Sequence, residues 1–123
     1  MRPFYKRLLT TACVFACALS TASYGAGAIA IDDEEGDHPD DVGYGIGFGK
    51  SRDSASTEAM KACRKNGNKN CAIKVRFDGC GAYAASKRFY GVGWGKTIKE
   101  AERKAVEACG RSSCEVVVSE CDD

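Results

Sequence analysis

The chain has 123 residues, eight cysteines and a formal net charge of +1, from 18 Lys+Arg against 17 Asp+Glu. That length leaves room for one domain, and the near-neutral total hides an acidic loop beside a basic body.

Residues 1–25 read as a secretory signal. Arg2, Lys6 and Arg7 give a basic start, Leu8 to Leu19 an apolar run too short to span a bilayer, and small residues around Ala22, Gly25 and Ala28 offer cleavage points. The alternative is a lipoprotein acylated at Cys17, which Phe15 fits badly. Export leaves a single domain over 26–123, with no transmembrane segment, in a secreted or periplasmic setting. It carries 15 Lys+Arg, 17 Asp+Glu and six cysteines, at 63, 71, 80, 109, 114 and 121. An even cysteine number in a small exported domain reads as a disulfide framework.

Residues 28–32 form a strand candidate. Between Asp32 and Asp41 lie seven acidic residues and no basic one, which reads as a solvated loop. Residues 42–123 hold 15 basic and 10 acidic residues, so an acidic loop stands beside a basic body.

Next comes Tyr44-Gly-Ile-Gly-Phe-Gly-Lys-Ser51, which recurs as Tyr90-Gly-Val-Gly-Trp-Gly-Lys-Thr97. The offset of 46 residues holds without a gap from Tyr44/Tyr90 to Cys63/Cys109, so the chain is an internal duplication. Repeat one covers about 28–80 and repeat two about 81–121. In a strand, the large residues of each string share one face and the glycines the other. Glycines there imply that a following helix packs directly on the backbone. Ala55, Ala59, Ala62 and Cys63 recur at helical spacing, as do Ala101, Ala105, Ala108 and Cys109. Thr97 with Glu100 fits a capping box, Ser51 holds the equivalent cap, and Gly67 and Gly110 stop the helices. Strands then follow over Ala72–Phe77 and Glu115–Glu120. The expected fold is α+β: duplicated strand-strand-helix-strand units with about six short strands and two helices, stapled by disulfides.

Six cysteines allow 15 pairings. Extended strands at about 3.3 Å per residue keep Cys71 from Cys80 and Cys114 from Cys121. Short loops favour Cys63–Cys71 and Cys109–Cys114, leaving Cys80–Cys121 to meet across the pseudo-two-fold.

Ala-Ile-Ala near the mature start, Tyr-Gly-x-Gly-x-Gly before a helix, the helix-terminal Ala-Cys, Cys71-Ala-Ile-Lys-Val and Cys114-Glu-Val-Val-Val together resemble an exported bacterial family, domain of unknown function 4189, over about residues 28–121. The resemblance implies a secreted or periplasmic bacterial protein. These markers are Gly, Ala and Cys positions, which specify a fold rather than a chemistry.

Gly49-Lys50-Ser51 and Gly95-Lys96-Thr97 look like the end of a phosphate loop, but Tyr44 and Tyr90 stand where that motif needs glycine. A histidine-dependent hydrolase would have to use His38, the sole histidine, inside the acidic loop. No Cys-x2-Cys pair suggests zinc, and the acidic loop lacks the ligand alternation of a calcium site. No cofactor, metal, catalytic set or nucleic-acid partner is expected. Tyr44, Phe48, Tyr90 and Trp94 are assigned first to the core of a small domain and, if that face is open, to an aromatic contact surface beside Lys87 and Arg88. The expected function is a non-enzymatic, protein-binding module of inhibitor or immunity type. The alternatives are a cell-envelope component binding glycan or anionic polymer, and an unrecognised hydrolase.

Overall fold

Glycine and alanine set the spacing of this fold. The computed structural model describes residues 25–34 and 39–122. Residues 1–24, where the signal segment and Cys17 were expected, and His38 lie outside the described residues. Unit one contains β1 (Ala26–Asp32), β2 (Gly43–Gly49), α1 (Arg52–Lys65) and β3 (Ala72–Phe77), with a 3-10 turn at Pro39–Asp41 before β2. Unit two contains β4 (Cys80–Ala85), β5 (Tyr90–Gly95), α2 (Ile98–Cys109) and β6 (Glu115–Cys121). Each unit makes one antiparallel three-stranded sheet with its first strand in the centre, in the orders β2-β1-β3 and β5-β4-β6. The duplication reaches the finest register. Gly27 faces Phe77 and Gly81 faces Glu120, and both sheets slip by one residue at the same place, after Ile29 and after Tyr83.

The helices lie on the outer faces. Ala26, Ala28 and Ala30 of β1 pack on Ala55, Ala59 and Cys63 of α1, and Ala82 and Ala84 of β4 on Ala101, Ala105 and Cys109 of α2. Beside those alanines the neighbouring strand presents only hydrogen. A Cβ added at Gly45 or Gly47 would fall on the α1 backbone at Cys63 and Ala59, and one at Gly91 or Gly93 on the α2 backbone at Cys109 and Ala101. The helix thus packs on the backbone of its own sheet, as the alternating glycines imply.

The inner faces meet in one larger core. Ile29, Ile31, Val75 and Phe77 from the first sheet pack with Tyr83, Ala85 and Val118 from the second. The layers therefore run helix, sheet, sheet, helix. Phe77 holds the centre, because its ring occupies the space a side chain would need at both Gly27 and Gly81.

The caps follow the sequence with one shift. Ser51 Oγ accepts from Ser54 N, and Ser54 returns the bond to Ser51 N, closing a capping box on α1. On α2, Thr97 Oγ1 accepts from Glu100 N, but the Glu100 carboxylate accepts from Lys96 N at 2.9 Å rather than from the cap residue itself. That bond, with Lys104 beside it, holds the Glu100 carboxyl below its ordinary range. Gly110, at φ +76°, closes α2 in the left-handed conformation that glycine adopts without strain.

The bridges are Cys63–Cys71, Cys109–Cys114 and Cys80–Cys121. The first two tie each helix end to the start of the following strand. The third differs from the expected route. Cys80 and Cys121 stand opposite each other on neighbouring strands β4 and β6, so the bridge is internal to unit two and does not cross the pseudo-two-fold. By sheet register the counterpart of Cys80 in unit one is Ala26, not a cysteine.

The acidic insertion also departs from a plain solvated loop. Asp32, its first residue, is fully buried at the end of β1. Its carboxylate accepts from Lys69 N at 3.1 Å, Asn70 N at 3.0 Å and Glu34 N at 3.1 Å, fixing the α1–β3 turn to the sheet. Further along, the Pro39–Asp41 turn lies against β6 of the other unit.

Two stability outcomes follow. Gly47→Ala, which forces the α1 backbone away from β2, lowers stability by about 3 kcal/mol, read as a fall in the thermal midpoint of roughly 10 °C or more. Asp32→Ala leaves buried N–H groups at Lys69 and Asn70 without an acceptor and costs about 3 kcal/mol in a denaturant titration, while Asp32→Asn, which keeps one acceptor oxygen, costs less.

Candidate functional site

Four residues, Ser86 to Phe89, separate the central strand of unit two from its duplicated string, and they build the site. Ser86 N donates to Phe89 O at 2.8 Å, closing a tight hairpin between β4 and β5 whose tip exposes Lys87 and Arg88. The root of the acidic insertion, Asp33 and Val42, stands opposite. Between them is a cleft of about 320 Å³, lined by these residues with Tyr83, Ala85, Ser86, Phe89 and Tyr90.

The floor is aromatic. The Tyr83 and Tyr90 rings stack with centroids 5.5 Å apart and planes 20° from parallel. Tyr83 is buried, whereas Tyr90 is 48% exposed and Phe89 42% exposed. Cations cover both open rings. Lys74 Nζ, from β3 of the other unit, lies 4.7 Å from the Tyr90 centroid, and the Arg111 guanidinium carbon lies 3.9 Å from that of Phe89. Such contacts hold large apolar rings at the surface without burying them. The Tyr83 hydroxyl donates toward Asp33 Oδ2 at 3.5 Å. Burial, the nearby Asp33 charge, Tyr90 and that hydrogen bond all favour the neutral phenol and push its pKa well above the ordinary tyrosine value.

The aromatic residues divide differently from a simple core assignment. Tyr44 is 39% exposed and Trp94 is 55% exposed, so with Tyr90 they are surface rather than core; the cause is that β2 and β5 are edge strands, reached by the opposite sheet over only part of their length. Phe48 alone of the four packs partly against the central core, and it also borders a third cleft with Ile46, Glu58, Lys61 and Lys65. The fold brings Lys87, Arg88 and Tyr90 into one cleft. Trp94 lies in an adjoining cleft with Arg52, Lys74 and Arg76, and Tyr44 and Phe48 lie on β2 of the other sheet.

Asp33, Lys74, Tyr83 and Arg111 are contributors that sequence reasoning missed. One signal was available for Lys74. It falls within an alternating strand, Ala72-Ile-Lys-Val-Arg-Phe77, whose counterpart in unit two has Val117 at that position. Nothing local marks Arg111, which reaches Phe89 only through the tertiary fold. Among the described residues no three His, Cys, Asp or Glu side chains converge as a metal would need, and no helix is long and apolar enough to cross a membrane.

Fold and surface together define a duplicated, disulfide-bridged α+β domain whose distinctive chemistry is exposed rings held under cations. The chain belongs to the family described as domain of unknown function (DUF4189), whose model matches residues 17–121. No curated protein and no solved structure matches the chain.

The Tyr83 environment has a pH signature. The phenol is held neutral in the fold and titrates near pH 10 when unfolded, so its contribution is fully present below about pH 10 and is lost as pH rises further. Denaturant midpoints decline above that pH, and Tyr83→Phe makes the decline shallower; an unchanged slope in the variant contradicts the assignment.

Proposed function

We propose that this is a non-enzymatic protein-binding module acting outside the cytosol, and that its contact surface is the hairpin cleft around Lys87, Arg88, Phe89 and Tyr90. The observation that carries the reading is the exposed ring pair Phe89–Tyr90, held open beneath Arg111 and Lys74. Rings fixed at a surface lose little conformational freedom when a partner covers them, which is how aromatic and arginine residues come to dominate binding energy. Cations around them select a partner with acidic groups and speed its encounter. Three disulfides suit an oxidising compartment. They also suit an inhibitor or immunity-type role, because a rigid small domain enters a complex already ordered.

The test is capture of partners from an envelope extract by the tagged protein, compared with Lys87→Glu/Arg88→Glu and with Lys99→Glu, which alters exposed charge on α2. A partner retained by the parent and by the Lys99 variant, but lost from the double variant and weakened by salt, supports the reading. Identical partner sets for all three refute it.

A further inference from the structure

We infer that the adjoining cleft, between β3 and Trp94, binds an acidic saccharide, that is, a sugar ring carrying a carboxylate. The cleft has a volume of about 400 Å³ and is lined by Arg52, Ile73, Lys74, Val75, Arg76 and Trp94. It draws on both units and shares no lining residue with the hairpin cleft, although Lys74, which lines it, also lies over the Tyr90 ring of that cleft.

Three observations converge on a saccharide. The first is Trp94, the most exposed large hydrophobic residue among the described residues, on an edge strand at the rim of a concave surface. An indole face left open in a cleft suits the apolar C–H face of a sugar ring. The second is the pair of exposed ion contacts that the two lining arginines make with carboxylates outside the lining. Arg52 Nη2 meets Asp78 Oδ2 at 3.1 Å and Arg76 Nη1 meets Asp53 Oδ1 at 3.6 Å, all four side chains being solvent-exposed. Exposed pairs of this kind contribute little to stability and are open to exchange. They present guanidinium donors and carboxylate acceptors side by side, as a ligand with many hydroxyls requires. A purely acidic polypeptide would meet Asp53 and Asp78 as opposing charges. Both guanidiniums are already paired, so a ligand carboxylate binds by exchanging into one of these exposed pairs, where arginine can hold it in a two-point fork, while the Lys74 ammonium, the surplus cation of the three, lies over the Tyr90 ring.

The third observation is internal to the chain. The 46-residue offset equates Arg52 with Ile98 and Trp94 with Phe48. The matched sheet registers equate Lys74 with Val117 and Arg76 with Ser119. At the three cationic positions unit two builds the same scaffold without a cation, while the tryptophan belongs to unit two and unit one has Phe48 at its place. The fold does not need the cationic set, so its presence in unit one calls for a ligand.

Trp94 is the only tryptophan in the chain, so its emission reports on this cleft alone. The oxidised protein is titrated with galacturonic acid oligomers, with the neutral galactose oligomers of equal length, and with poly-glutamate. The expected result is a saturable change in Trp94 emission with the acidic sugar. Affinity should fall about tenfold in Arg52→Gln and in Arg76→Gln, the loss of one charge-assisted contact. The triple exchange Arg52→Ile, Lys74→Val, Arg76→Ser, which installs the unit-two residues, should abolish the response while thermal unfolding shows the fold retained. The inference is overturned if the acidic sugar gives no saturable change, if the neutral sugar binds as tightly, if poly-glutamate binds more tightly than either, or if the arginine variants bind like the parent.

Discussion

Everything else in this domain depends on helix backbone resting on strand backbone. Gly45 and Gly47 in one unit, and Gly91 and Gly93 in the other, remove the side chains that would hold α1 and α2 away, and the alanines of both helices and central strands complete the thin contact. Such an interface buries little area per residue, so its strength lies in dispersion contacts at short range and is sensitive to any added atom. The helices then sit where the Cys63–Cys71 and Cys109–Cys114 bridges can form. The large residues of the glycine strings are sent to the opposite face, where the second sheet waits. The surface rings are a by-product of this arrangement: a strand with glycine on one face must place its bulk on the other, and an edge strand cannot bury all of it.

Much of this was legible in the residues. The repeat, the alternating strings, the alanine stripes and the helix stops each have a local chemical cause, and each appears in the fold with small shifts at its ends. Asp32 was not legible, because a carboxylate at the head of an acidic run looks like its neighbours until the α1–β3 turn is seen folded onto it. The route of Cys80–Cys121 was hidden for a related reason: equivalence between units is set by sheet register, and register becomes visible only once β4 lies between β5 and β6. At the clefts, Lys87, Arg88 and Tyr90 could be read together because they are neighbours in the chain. Lys74 and Arg111 reach the same rings from 16 residues before Tyr90 and 22 after Phe89, and no spacing rule connects them.

A duplicated chain carries its own reference state. Where the units agree, as in the glycines, the capping hydroxyls and the strand slip, the fold sets the residue. Where they differ, the fold does not need the residue in both units. Phe77 and Glu120 occupy equivalent positions, yet only Phe77 fills the space over Gly27 and Gly81, while Glu120 is exposed. One ring therefore serves both halves, and the halves are not interchangeable. The acidic insertion in unit one adds a second asymmetry by placing its 3-10 turn on β6.

The covalent map has a consequence of its own. Cys63–Cys71 lies within unit one, and Cys80–Cys121 and Cys109–Cys114 lie within unit two, so no bridge joins the halves. Their only covalent tie is the short connection Asp78–Gly79, against which the chain end folds back through Asp122 N and Gly79 O at 2.7 Å. In redox terms the molecule is two separately stapled parcels held face to face by Phe77 and its neighbours. Two such chains that traded halves would keep every bridge and every strand register within a unit. What keeps a chain closed on itself is thus the concentration at which it lives, not its sulfur chemistry.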